Sequence, residues 1–301
     1  MEINLIKPYG FCSGVTSAIE IAKQTKLLNK ESNVFIFGML VHNENVINEL
    51  NDYGICTINS LSDVKKGDIV IIRAHGISKD TYDFLKHKQV KIIDATCPFI
   101  AKINRKISNY KGEIIYIGDK NHPETVASTS YSDKVTLFDI SNTKRFDFSK
   151  FINKKPLILN QSTISDEKIM PIYDSIKKNI NRPKFLNCLC PFVKCRQILL
   201  NKSFEENYDL YIVVGDKKSN NSKELVNIIK KNKKKYIFID SKSELNTIDF
   251  NKYKKICIIS GTSTPNFIVD EIIEYLENDF NIIIFSEILA SGRQLKKKIK
   301  L

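Results

Sequence analysis

GFCSGVTSAIEIAKQ at residues 10–24, ATCPFIAKINRKI at 95–107 and CLCPFVKCRQILL at 188–200 decide how this chain folds. Each stretch sets a cysteine at a turn and continues with apolar residues at helical spacing. The second and third share Cys-Pro-Phe followed by a β-branched residue, which aligns Cys97 with Cys190 rather than with Cys188 or Cys195. Cys12 takes the same place in the first. A repeat of this kind is read before any single element, because it governs how the others group.

Working outward, each copy next has a β-rich run that ends in glycine and a polar loop. These are VFIFG (34–38) before LVHNEN, IIYIG (114–118) before DKNHPE, and YIVVG (211–215) before DKKSNNS. A second run follows at ICTINS, VTLFDI and KYIFIDS. The third ends in another polar loop, at DIVIIRAHG, PLILNQST and CIISGTSTP. Helical periodicity lies between the runs, as at 43–50 and 222–230. Strands alternating with helices predict parallel βαβ units. The expected boundaries are 1–96, 97–189 and 190–280, with a C-terminal strand and basic tail over 281–301. Three similar α/β domains imply packing with pseudo-threefold symmetry. Ligand sites in such sheets lie beyond the carboxyl ends of strands, so the polar loops and the three cysteines would face a common centre.

Composition narrows the chemistry. A chain of 301 residues with 42% hydrophobic content can bury a substantial core. No apolar run approaches the roughly 18 residues of a membrane helix, so no membrane association is expected. A strand pattern begins at Ile3, and no leader is expected within the chain. The net charge of +13 fits an anionic substrate, an acidic protein partner, nucleic acid, or simply a solvated lysine face. Nucleic-acid binding would call for interleaved aromatic and basic residues, which are not seen. Abundant Lys, Asn and Ile with little Arg points to AT-rich coding. Seven cysteines without a secretion signal favour thiol or metal chemistry over a disulfide framework. No CxxC pair occurs, which leaves out a zinc ribbon.

A thiol at a helix start is readily a thiolate, and Pro98 and Pro191 suit the first helical position. Three thiolates can hold a [4Fe–4S] cluster and leave one iron open. Cys56 and Cys257, within apolar strands, read instead as buried small hydrophobes; Cys188 and Cys195 stay unassigned. His42, His75 and His122 occupy polar loops, whereas His87 reads as a surface residue. With Ser219, Asn220, Asn221 and Ser263, the three histidines form a donor set suited to a phosphate or diphosphate. Glu124 is either a general acid or a first-turn carboxylate interacting with the helix dipole. Ser162 and Thr163, in the other polar loop of that copy, could relay its proton, and Ser162 is also expected among the substrate-binding residues.

These landmarks resemble the IspH/LytB family of 4-hydroxy-3-methylbut-2-enyl diphosphate reductases, from GFCSGV to SGTSTP. The specific pieces are His42-Asn43, Ala74-His75-Gly76, Asp94-Ala95-Thr96-Cys97-Pro98, His122-Pro123-Glu124, Arg196-Gln197, and Val213-Val214-Gly215 with Ser219 to Ser222. The resemblance implies a trefoil-like arrangement of three α/β domains around a central [4Fe–4S] cluster on Cys12, Cys97 and Cys190. It implies reductive loss of water from the hydroxylated allylic diphosphate, giving isopentenyl and dimethylallyl diphosphates at the end of the non-mevalonate pathway. His42, His75, His122, Ser219, Asn221 and Ser263 match diphosphate-binding positions, Asn220 stands where serine is common, and Glu124 matches the proton donor. Gln161-Ser162-Thr163 replaces the usual Gln-Thr-Thr. The implied electron donor is a ferredoxin or flavodoxin and the expected state a monomer; the AT-rich composition points to an apicoplast-type plastid stroma, with a bacterial cytoplasm as the alternative. The rival readings are an iron–sulfur hydro-lyase, which needs no reductant, and a structural cluster protein, which leaves His122-Pro123-Glu124 without a role.

Overall fold

The computed structural model describes residues 1–41, 43–143, 146–279, 284–288 and 294–297, the last two stretches as backbone. The chain opens with β1 (Glu2–Ile6) and α1 (Ser13–Leu28). Next come β2 (Val34–Phe37), α2 (Glu44–Asp52), β3 (Ile55–Ile58), β4 (Ile69–Ile72), α3 (Lys79–His87) and β5 (Lys91–Asp94). The second copy runs α4 (Pro98–Asn109), β6 (Ile114–Gly118), α5 (Pro123–Thr129), β7 (Val135–Asp139), β8 (Leu157–Asn160), α6 (Asp166–Asn179) and β9 (Lys184–Phe185). The third runs α7 (Pro191–Ser203), β10 (Leu210–Val214), α8 (Asn220–Lys231), β11 (Tyr236–Ile239), β12 (Lys255–Ser260) and α9 (Asn266–Asp279), followed by β13 (Ile284–Ile288) and β14 (Gln294–Lys297). The remainder of the expected basic tail lies outside the described residues.

The nine predicted strands form as read, in three parallel sheets of one design. Their orders are β3-β2-β4-β5, β7-β6-β8-β9 and β11-β10-β12-β1, the last extended by β13 and antiparallel β14. The fourth strand of each sheet leads into a cysteine: β5 to Cys97, β9 to Cys190 and β1 to Cys12. The third sheet therefore takes its fourth strand from the start of the chain, with Ile3 paired to Ile256 and Leu5 to Ile258.

The chain divides into two compact units, Met1–Cys12 with His42–Val46 and Pro191–Leu301, and Ser13–Val41 with Ile47–Cys190. In the second, both faces of the β6–β9 sheet are covered, which is why β6 is apolar throughout. Alternate side chains go to opposite faces: Ile115, Ile117 and Ile158 share a core with Ile169, Ile172 and Ile176 of α6. Ile114, Tyr116, Leu157 and Leu159 share one with Ile100, Ile103 and Ile107 of α4. In the first unit, Leu5, Ile212 and Ile258 meet Val269, Ile272 and Leu276 of α9, while Tyr211, Val213 and Ile259 meet Leu199 and Leu200 of α7.

One expectation fails. Cys56 is exposed, because β3 is the outer strand of its sheet and turns that side chain away from the core. Cys257, on the inner strand β12, is fully buried as expected. His87 is exposed, as its lysine-rich setting predicts.

Candidate active site

Cys12, Cys97 and Cys190 each immediately precede a helix, α1, α4 and α7. Each backbone N–H donates to the carbonyl of an equivalent residue in the loop after a third strand: Cys12 to Thr262 at 3.0 Å, Cys97 to Ala74 at 3.0 Å, and Cys190 to Ser162 at 2.9 Å. The repeat thus extends to single hydrogen bonds. One residue beyond those acceptors stand Ser263, His75 and Thr163, all three selected from the sequence. The three cysteines are neither deep in the core nor fully exposed, unlike Cys188 and Cys257, which are buried.

Glu124 is fully buried in the first turn of α5. Ser162 donates to it twice, from its backbone N–H at 2.7 Å and its Oγ at 2.7 Å, and the Tyr116 hydroxyl donates at 3.1 Å. Burial raises its pKa above the usual carboxylate range, while the Ser162 and Tyr116 hydrogen bonds pull the other way. This is not a solvated first-turn carboxylate. Nor is Tyr116 a carboxylate's competitor for the proton: burial keeps the phenol protonated, so it remains a donor. A lone phenol in the aliphatic run IIYIG was the available signal for this partner, and it reads first as core packing.

His122 caps α5, its Nδ1 accepting from the Glu124 N–H at 3.2 Å. The His122 and His75 rings lie edge to face, 5.6 Å between centroids, so two of the predicted histidines are brought together. The prediction for His42 falls outside the described residues. Its neighbour Asn43 is buried and caps α2 through the Val46 N–H. Thr163 is half-buried and accepts from the Gln161 amide at 2.8 Å.

In the other unit, Ser219 is the N-cap of α8 and accepts from Ser263 Oγ at 3.3 Å. Asn221 is buried, yet both its amide atoms lack a partner among the described residues, and Asn220 beside it is half-buried. A buried amide with no hydrogen bond costs about 1–3 kcal/mol, which a polar ligand would offset. The α8 N-terminus lies tight against the sheet. A Cβ at Gly215 or Gly261 would come within 2.4 or 2.2 Å of Ser222 Oγ, so only glycine admits this approach.

Arg196 is buried and supports the loop before Cys12. Its guanidinium donates to the Gly10 carbonyl at 2.5 Å and the Ser260 carbonyl at 2.9 Å, while Gly10 N–H donates to Ser260 Oγ at 2.9 Å. Gly10 has φ +74°, a left-handed conformation that suits glycine.

The donor chemistry fits an iron–sulfur cluster. Three equivalent cysteines at helix starts suit thiolates, and each would ligate a different iron. Among the described residues, no group of three His, Cys, Asp or Glu side chains is gathered for a single metal ion. Cys188 is a poor ligand by comparison. Its Sγ–H donates to the Leu186 carbonyl at 3.3 Å, and burial pushes its thiol pKa up to about 11.

Residues 3–277 match the family model described as LytB protein. A 4-hydroxy-3-methylbut-2-enyl diphosphate reductase from Clostridioides difficile (strain 630) is 32% identical over 282 residues, covering 92% of this chain and 100% of that protein. One from Campylobacter fetus is 35% identical over 283 residues, covering 92% and 98%. The solved structure of the E-1-hydroxy-2-methyl-but-2-enyl-4-diphosphate reductase from Plasmodium falciparum superposes with a TM-score of 0.86 at 28% identity, covering 99% of this chain and 95% of that one. With three sheets of one design, a shared cysteine hydrogen bond and a family match along nearly its whole length, the chain belongs to the LytB family.

Proposed function

We infer that this chain is a 4-hydroxy-3-methylbut-2-enyl diphosphate reductase, removing the allylic hydroxyl as water to give isopentenyl and dimethylallyl diphosphates. The observation that carries the reading is the double use of Ser162. It donates twice to the buried Glu124, and its carbonyl accepts from the N–H of Cys190. A proton donor and a cluster ligand would thus hang on one residue.

Cys12, Cys97 and Cys190 would hold a [4Fe–4S] cluster. When bound, it would supply one-electron steps and, at its open iron, Lewis acidity towards the hydroxyl oxygen. Glu124 holds a proton at a pH where exposed carboxyls have lost theirs, because burial disfavours its anion. Three donated hydrogen bonds then steady the carboxylate once the proton has gone to the leaving hydroxyl. Thr163 completes the relay on the Ser162 side. To the diphosphate we assign His42, His75, His122, Ser219, Asn220, Asn221 and Ser263; the unsatisfied Asn221 amide supports that assignment most directly. Such an anchor far from the reacting carbon supplies orientation.

A basic chain with +13 charge suits an acidic ferredoxin or flavodoxin as donor. No helix among the described residues is long and apolar enough to cross a membrane. The bacterial relatives favour a bacterial cytoplasm over the plastid stroma expected from composition.

The test is anaerobic reconstitution with iron and sulfide, then assay on the hydroxylated allylic diphosphate with dithionite-reduced methyl viologen. Two five-carbon diphosphates are expected in the product. Turnover of an alcohol to an alkene without any reductant would instead select the hydro-lyase reading.

A further inference from the structure

The α4 helix begins directly after Cys97, and Lys102, Arg105 and Lys106 share one exposed face of it at i, i+3 and i+4. At 1.5 Å rise per residue they stand about 8 to 14 Å along the axis from Cys97. With Phe99, Leu186 and Cys188 they line a cleft of about 600 Å³. No carboxylate lines this cleft, and none of the three cations forms an ion pair among the described residues. Leu186, at 40% exposure, adds an apolar contact at its edge.

Cys188 is buried in one core cluster, against which Cys97 and Phe99 pack, and it stands two residues before Cys190. The cationic, partly apolar groove thus shares Cys188 with the core cluster against which Cys97 packs. The other exposed lysines include several already engaged by carboxylates, such as Lys154 with Glu113 and Lys217 with Glu244.

We propose that this cleft is the docking site of an acidic one-electron carrier protein, which passes electrons inward past Cys188 and Cys97. The proposal rests on the reductase reading given above. The carrier's carboxylates meet Lys102, Arg105 and Lys106, and an apolar contact beside its redox centre meets Phe99 and Leu186. Each turnover oxidises two reduced carriers by one electron apiece. The two electrons, with two protons, convert the allylic alcohol into the alkene diphosphate and one water. Charge of this kind acts mainly on the rate of encounter, and its effect fades with salt.

The experiment compares the reconstituted wild-type enzyme with the exposed triple variant Lys102→Glu/Arg105→Glu/Lys106→Glu, and with a control triple Lys231→Glu/Lys233→Glu/Lys234→Glu. Each is assayed with a reduced acidic ferredoxin and, separately, with dithionite-reduced methyl viologen. In the cleft variant, ferredoxin-driven turnover at low salt should fall by about tenfold or more and lose most of its salt dependence. Its viologen-driven turnover should stay within about twofold of wild type, and the control triple should behave as wild type with both donors. Unchanged ferredoxin kinetics in the cleft variant would overturn the proposal, as would equal loss with both donors or equal loss in the control triple. A cleft serving a small anionic metabolite would show the first of these. Should wild type fail with both donors, the reductase reading falls, a result distinct from failure of docking alone.

Discussion

Glu124 and Asn221 are both buried polar side chains in the first turn of a helix that follows a strand-terminal glycine, yet they are treated in opposite ways. Around Glu124 the protein supplies every donor: Ser162 twice and Tyr116 once. Around Asn221 it supplies none, and Ser222 Oγ beside it is equally unpartnered among the described residues. On the proposed reading, the group that changes protonation is held in place beforehand, and the group assigned to the diphosphate keeps its hydrogen-bonding capacity open at a cost to the empty protein.

The comparison breaks most visibly at Glu124→Gln. The amide keeps the shape and neutrality but holds no transferable proton, so turnover should drop by about 10²–10⁴-fold while iron content is retained. Near-normal turnover would remove Glu124 from the chemistry.

Asn221→Ala probes the other side. Losing hydrogen bonds to a charged ligand of about 1.5–3 kcal/mol should raise KM for the diphosphate by roughly 10- to 150-fold. Thermal stability without substrate should hold or rise, since an unsatisfied amide is removed. A fall in stability with KM unchanged would mean that Asn221 is an ordinary structural residue.

Tyr116→Phe is a smaller and more specific change. The phenol donates to the Glu124 carboxylate and so favours its ionised form. Without it, the Glu124 pKa, already raised by burial, rises further. Activity that needs the protonated acid is present at low pH and lost as pH climbs through that pKa, so the alkaline limb of the kcat profile should move to higher pH. Stability should fall by about 1 kcal/mol. A limb that moves to lower pH would contradict the role given to Tyr116.

The sequence showed the fold where side chains made the pattern and hid it where they did not. Continuous apolar runs such as IVII, IIYIG and LYIVV are strands buried on both faces; IIYIG and LYIVV hold equivalent places in the second and third copies, and IVII is the third run of the first. Of the fourth strands, β1 was read from its apolar start, whereas β5 (KIID), with no buried side chain, and β9, two residues long, escaped. That β1 completes the sheet of β12 could not be read either, since a parallel strand does not name its neighbour. The cysteines, His75, His122 and Glu124 were legible because unusual residues recur at loop positions that the repeat makes equivalent. Tyr116 was not, because a phenol in an apolar strand looks like packing until the carboxylate beneath it is seen. Arg196 was legible as a landmark, but its hold on the Gly10 loop depends on a contact across 186 residues.

The most direct test of the equivalence among the three cysteines is iron content after anaerobic reconstitution of wild type and of the single variants Cys12→Ser, Cys97→Ser, Cys190→Ser and Cys188→Ser. The account predicts about four irons per chain in wild type, severe and similar loss in the first three variants, and wild-type loading in Cys188→Ser. A colourless protein that takes up zinc instead, or a Cys188→Ser variant that loses its iron while Cys190→Ser keeps it, would contradict the account.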